Sequence, residues 1–143
     1  MNLSHILHGK PAGFIYVAPT TPIRDVVTVL AEKSIGAVLV LEGETLVGIL
    51  SERDIVRRLG QEAGNTLDLT TAQLMTPNPI TATPGTTVEQ AMETMTNRHF
   101  RHLPIVDQGK LVGLVSIGDV VKARIEQHQY EVESLRTYVG GRV

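Results

Sequence analysis

The chain has 143 residues, 42% of them hydrophobic and 20% charged, with a net charge of −2. That balance suits one compact domain or two small intimate halves, and it carries no basic field that would draw nucleic acid. The absence of cysteine excludes disulfides, thiolate metal sites and cysteine nucleophiles, and no apolar run approaches the ~20 residues that span a bilayer.

Only 3% of the residues are aromatic and none is Trp, so the core must be built from Val, Ile, Leu, Met and Ala. "MNLSHILHGK" has too short an apolar stretch for a signal peptide. The expectation is a cytoplasmic protein with neither membrane nor nucleic acid as partner.

"FIYVA" (Phe14–Ala18) reads as a short apolar strand. Thr21 is placed to cap a helix with Pro22 at its first position, and Ile23, Val26, Val27, Leu30 and Ala31 recur at helical spacing. "AVLVL" (Ala37–Leu41) is apolar at every residue, as in a strand covered on both faces. "EGE" (Glu42–Glu44) is a turn and "LVGIL" (Leu46–Leu50) a second strand, which makes a hairpin. Ser51 then starts a helix running to about Leu59. A polar, glycine-containing linker follows and ends in a short helical turn near Thr71–Met75.

The same order then recurs. "PITA" (Pro79–Ala82) is the leading strand, and Thr86 with Glu89 forms a capping box before Val88, Ala91, Met92 and Met95. "HLPIVD" and "KLVGLVS" make a hairpin around Gln108 and Gly109, and Ser116 opens the last helix. A shift of 65 residues lays Pro19 on Pro84, Thr21 on Thr86, Leu46-Val47-Gly48 on Leu111-Val112-Gly113, Ser51 on Ser116, Asp54 on Asp119 and Val56 on Val121, without a gap. The fold class is therefore α/β (α+β), with two βαββα repeats related by pseudo-twofold symmetry. The divisions are residues 3–65 for the first repeat and the start of the linker, 66–125 for the second repeat, and 126–143 for a helical extension.

"VGILSERD" and "VGLVSIGD" share apolar-Gly-apolar-apolar-Ser-x-x-Asp. One reading is a helix capping box preceded by a glycine that permits close strand packing. The other is a nucleotide site. A helix start offers unpaired N–H groups and partial positive charge to phosphate, and the Ser hydroxyl adds a bond. The Asp accepts from the ribose hydroxyls and would repel a 2′-phosphate, while Gly48 and Gly113 would let a ligand approach the backbone. Two copies at equivalent places favour the nucleotide reading.

These motifs, with "LMTPNPITATPGTTVEQAMETM" (Leu74–Met95) and "RHLPIVDQGKLVGLVS" (Arg101–Ser116), resemble a tandem cystathionine-β-synthase (CBS) domain pair, a Bateman module, of the short stand-alone bacterial type. The resemblance covers about Leu3 to Lys122. It implies a non-enzymatic regulatory module that binds adenosine-containing ligands (AMP, ADP, ATP, NAD(H), S-adenosylmethionine) in clefts between the repeats, with no metal. Carried over by position, one cleft would join Ser116, Gly118 and Asp119 to the region of Val17 and to Ile35, Gly36 and Ala37. Its twin would join Ser51, Arg53 and Asp54 to Ile80, Thr81, Phe100, Arg101 and His102. Ile35, Ile80 and Phe100 would sandwich the adenine. Arg53 and Arg101 would make the Asp54 cleft the richer in phosphate contacts, because Gly118 offers only space and an N–H. The alternative is a structural or protein-interaction module with degenerate clefts.

The pairs His5/His8 and His99/His102 lack a third ligand nearby and do not argue for metal. No Gly-x-Ser-x-Gly, Walker or Rossmann pattern occurs, and Met75, Met92 and Met95 read as packing residues. Beyond Asp119, Ile125, His128, Val132, Leu135 and Val139 form a stripe at helical spacing. The stripe is expected to contact a second copy in a homodimer rather than the chain's own core. The downstream protein target is not written in the sequence.

Overall fold

A computed structural model describes residues 1–140, with side chains through Thr137; Val139 lies outside the described side chains. The elements in chain order are α1 (Leu3–His8), β1 (Tyr16–Val17), α2 (Ile23–Lys33), β2 (Ala37–Glu42), β3 (Thr45–Ser51), α3 (Glu52–Gln61), a 3-10 turn (Thr66–Asp68), α4 (Thr71–Leu74), β4 (Thr76–Pro77), α5 (Val88–Arg98), β5 (His102–Asp107), β6 (Lys110–Ser116) and α6 (Ile117–Gly140). Both hairpins lie where the sequence puts them. Ala37 pairs with Ser51 and His102 with Ser116, and each hairpin has a register shift at the same place, Val40/Leu41 and Ile105/Val106.

The leading strands are shorter than expected, and unequally so. β1 is parallel to β2 over two residues, and Leu39 N–H donates to Ile15 O at 3.3 Å. The residue equivalent to Leu39 is Pro104, which has no N–H to give Ile80. "PITA" accordingly forms no strand; only Ala82 bridges to Ile105. β4, antiparallel to β3, was not expected and completes a four-stranded sheet in the order β1-β2-β3-β4 beside the β5-β6 pair.

The helix starts also correct the sequence reading. Thr21 and Thr86 do not cap helices: their hydroxyls accept from Ala18 N and Thr83 N and close the preceding turns. Pro22 is itself at the N-cap position of α2, with no side-chain cap. The capping box of α5 belongs to Thr87 and Gln90, one residue beyond the expected pair.

Each repeat has its own aliphatic core. Val17, Ile23, Val26, Leu30, Val38, Val40, Leu50 and Ile55 form one; Val88, Ala91, Met95, Leu103, Ile105, Val115, Val120 and Ala123 form the other. Leu39, on the opposite face of β2 from Val38 and Val40, is also fully buried, and β3 meets β6 across the boundary.

The two repeats are locked by exchanged helices. α1 falls within residues 3–65, the first division, and precedes β1, yet it docks on the second repeat: Leu3 N donates to Thr86 O, Ser4 N to Pro84 O, and Val88 N to Met1 O. α4 likewise falls within residues 66–125, the second division, but docks on the first repeat through equivalent bonds, Thr71 N to Thr21 O, Ala72 N to Pro19 O, and Ile23 N to Leu69 O. Leu3 and Ile6 are buried in the second core, worth about 1.5–3 kcal/mol each.

The exchange explains the repeated glycines. A Cβ on Gly48 would lie 2.5 Å from Met75 Sδ, and one on Gly113 would lie 2.6 Å from Leu7 Cδ2. The open face of each glycine is filled by the end of an exchanged helix. Gly48 and Gly113 thus serve close packing and not the approach of a ligand.

α6 runs unbroken from the second repeat into the C-terminal segment. Its stripe does not fold back on the core: Ile125 is 53% and Leu135 66% exposed. No helix among the described residues is long and apolar enough to cross a membrane.

Candidate functional site

Both Ser-x-x-Asp motifs sit where a strand ends and a helix begins, and both are capping boxes. In the first, Ser51 N and Ser51 Oγ donate to Asp54 Oδ2 at 2.9 and 3.0 Å, and Asp54 N donates to Ser51 Oγ at 3.4 Å. In the second, Ser116 N donates to Asp119 Oδ2 at 2.9 Å and Asp119 N to Ser116 Oγ at 3.1 Å. The other oxygen, Oδ1, has no hydrogen-bond partner among the described residues at either Asp.

Each motif opens into a cleft walled by the other repeat. The Asp54 cleft, of about 250 Å³, brings Ser51, Arg53 and Asp54 together with Ile80, Phe100, Arg101 and His102. The Asp119 cleft, of about 630 Å³, brings Ser116 and Asp119 together with Ile35, Gly36 and Ala37. Ligand pockets commonly fall near 300–1,000 Å³. Three residues expected in these groups lie elsewhere. Val17 is buried in the first core, and the wall it was expected to form is made by Phe14 and Ile15. Thr81 borders a separate depression between the hairpin turns, and Gly118 faces an apolar hollow on α6.

The clefts also contain residues that sequence reasoning missed. Arg57, one helical turn beyond Asp54, lines the first cleft with Asn78 and Pro79; its spacing from Asp54 could have revealed it. Lys10 lines the second, donating to Asp119 Oδ2 at 2.7 Å and to Leu114 O at 2.9 Å. Lys10 lies outside the aligned repeat, so nothing in the sequence tied it to Asp119.

Electrostatics distinguishes the clefts. Burial alone would raise the carboxyl pKa of Asp119, but hydrogen bonds from Lys10 and Ser116 outweigh it and hold the group below its ordinary 3.8. His102 lines both clefts. Burial pushes its pKa below 6.5, against the pull of Glu52 and Asp119 and with the push of Lys10 and Arg101. Its ring fills the space beside Gly36, where a Cβ would meet it at 3.4 Å. The described residues hold no group of three His, Cys, Asp or Glu side chains able to bind a metal.

Two tandem βαββα repeats, locked by exchanged helices and with a Ser/Asp helix start in each of two clefts, define a paired-repeat module. The CBS domain family matches the chain twice, over residues 12–61 and 72–126, and the chain belongs to that family. It is 34% identical to the CBS domain-containing protein CBSX3, mitochondrial, of Arabidopsis thaliana, over 93% of this chain and 68% of that protein. Among solved structures, it resembles the CBS-domain containing protein ATU1752 from Agrobacterium tumefaciens (34% identity, TM-score 0.84, 87% of this chain and 99% of that one). It also resembles the CBS domain protein PAE2072 from Pyrobaculum aerophilum complexed with AMP (31% identity, TM-score 0.74, 83% and 89%).

Proposed function

We propose that this chain is a non-enzymatic regulatory module that binds an adenosine-containing nucleotide in the clefts between its two repeats. The observation that carries the reading is the composition of each cleft. A Ser/Asp helix start from one repeat faces apolar groups from the other: Asp54 with Ile80 and Phe100, Asp119 with Ile35. The adenine would lie against the apolar wall and the ribose against the Asp, through Oδ1. The phosphates would meet the helix start and, in the Asp54 cleft, Arg53, Arg57 and Arg101. That PAE2072 is complexed with AMP supports the same ligand class here.

A ligand held by both repeats favours one relative placement of them. It regulates to the extent that it binds that placement better than others. The output passes through a partner or a second copy. Val56 on α3 and Val121 on α6 occupy equivalent positions and are 64% and 40% exposed, a surface that fits pairing of two modules as a homodimer.

The test is thermal melting of nucleotide-stripped protein against AMP, ADP, ATP, NAD, NADH and S-adenosylmethionine. A ligand at about a hundred times its Kd stabilises by about 2.7 kcal/mol. The expected result is a shift with at least one member that is lost in Asp54→Asn/Asp119→Asn. No shift with any member refutes the reading.

A further inference from the structure

We propose that Lys10 is the phosphate-reading cation of the Asp119 cleft, able to exchange Asp119 for a ligand phosphate. The inference rests on the nucleotide-binding reading above and adds which group makes this cleft select a phosphorylated ligand.

The two clefts obtain positive charge by different routes. The Asp54 cleft takes it from its own helix, through Arg53 and Arg57, and from Arg101 at the edge of the facing strand. At the equivalent places the Asp119 cleft has Gly118, Lys122 and Gly36. Gly118 and Gly36 carry no charge, and Lys122 shares an adjoining cavity with Lys10 and Asp119 but, unlike them, does not line the cleft itself. The repeat therefore leaves this cleft without a cation of its own. Lys10 fills the gap from ahead of β1, outside the gapless alignment of the two repeats, one residue past Gly9, which ends α1. Its counterpart on the exchanged segment of the other repeat is Asn78, a neutral residue lining a cleft already rich in arginine.

The ammonium is placed to change partners. It spends one donor on Asp119 Oδ2 and one on Leu114 O, and a third remains. The four-carbon stem is flexible, and the side chain is part-exposed. When a phosphate enters, the ammonium can turn to it, and Asp119 Oδ2 regains an acceptor site for a ribose hydroxyl. The ion pair that opens is replaced by another of the same kind. A nucleoside without phosphate offers no such replacement and must bind beside a neutralised Asp119.

The test is calorimetric titration with AMP and with adenosine, in an Asp54→Asn background so that heat reports the Asp119 cleft. Lys10→Gln should weaken AMP about tenfold, as expected for loss of one charge-assisted hydrogen bond, and leave adenosine unchanged or tighter. Lys10→Arg should restore most of the AMP affinity, which separates a charge effect from damage to the fold. An unchanged AMP-to-adenosine ratio in Lys10→Gln overturns the inference. So does a background protein that binds neither while the unmutated chain binds AMP. If the unmutated chain binds neither ligand, the nucleotide reading itself fails.

Discussion

The two repeated glycines occupy equivalent positions but should not tolerate alanine equally. At Gly48 the new Cβ would meet Met75 Sδ at 2.5 Å, Met75 Cγ at 3.0 Å and the Thr76 backbone oxygen at 3.0 Å. Thr76 is paired to Ile49 in the sheet, so its carbonyl cannot withdraw without opening β4. At Gly113 the only close atom among the described residues is Leu7 Cδ2, at 2.6 Å, with the next at 3.9 Å. A rotamer change in Leu7 relieves that contact. Overpacking costs about 1–3 kcal/mol, and removing a glycine from a strand returns about 0.5–1 kcal/mol. Gly48→Ala should therefore lose about 1–2 kcal/mol and Gly113→Ala should stay within about 0.5 kcal/mol of the parent. Urea unfolding measures both, and for Gly48→Ala the Tm should fall by about 3–8 °C. Adding Met75→Ala to Gly48→Ala should recover part of the loss and not all of it, because the Thr76 oxygen remains. Equal losses at the two glycines, or a larger one at Gly113, would refute the packing argument.

Two further outcomes follow from the local geometry. His102 has its pKa held below 6.5 by burial, so the unfolded chain takes up the proton first. The stability this group confers is complete above about pH 6.5 and is lost as pH falls through its lowered folded value. His102→Asn should flatten the loss of stability as pH falls below about 6.5 in urea titrations, and an equally steep loss in the variant would assign it to other groups. Thr87→Ala removes the hydroxyl that accepts from Gln90 N at 3.0 Å and should cost about 0.5–2 kcal/mol. Thr86→Ala removes only the turn-closing hydroxyl and should cost less in the same assay.

The repeat made most of the fold legible. Short apolar runs and turn residues placed both hairpins, and the paired Ser and Asp marked both helix starts. The clefts were legible through the likeness to CBS pairs, which put Ile80 and Phe100 opposite Asp54 and Ile35 opposite Asp119. What escaped the sequence lies where symmetry is broken or where the register slips. Pro104 in the place of Leu39 shrank a strand to one bridge. The exchanged helices carry little mutual likeness: Leu3, Ile6 and Leu7 match Thr71, Leu74 and Met75 only in the structure, out of the 65-residue register. That slip hid why the glycines recur, and it hid Lys10. The cap of α5 moved by one residue because adjacent threonines and an adjacent Glu and Gln offer the same pattern in two frames.

The capping and ligand-binding readings of Ser-x-x-Asp can be set against each other within this one chain. Among the described residues, four helix starts carry a box of the capping type. α4 and α5 use Thr with Gln, Thr70 with Gln73 and Thr87 with Gln90, and the Gln side chains accept from the N-cap amides at 2.8 and 3.0 Å. The two starts that open into clefts use Ser with Asp, and there the equivalent bonds are 2.9 Å. Holding a helix end is thus within reach of a neutral amide in this fold. A carboxylate adds a charge and a second acceptor oxygen. At Asp54 and Asp119 that second oxygen is not consumed by the cap among the described residues. Asp→Asn at either position should keep the cap and remove what the carboxylate adds, and Asp54 is the cleaner test because Asp119 also holds Lys10 at 2.7 Å. A large loss of stability in Asp54→Asn without ligand would mean that the charge serves the helix. Near-parent stability would leave the acid to the cleft.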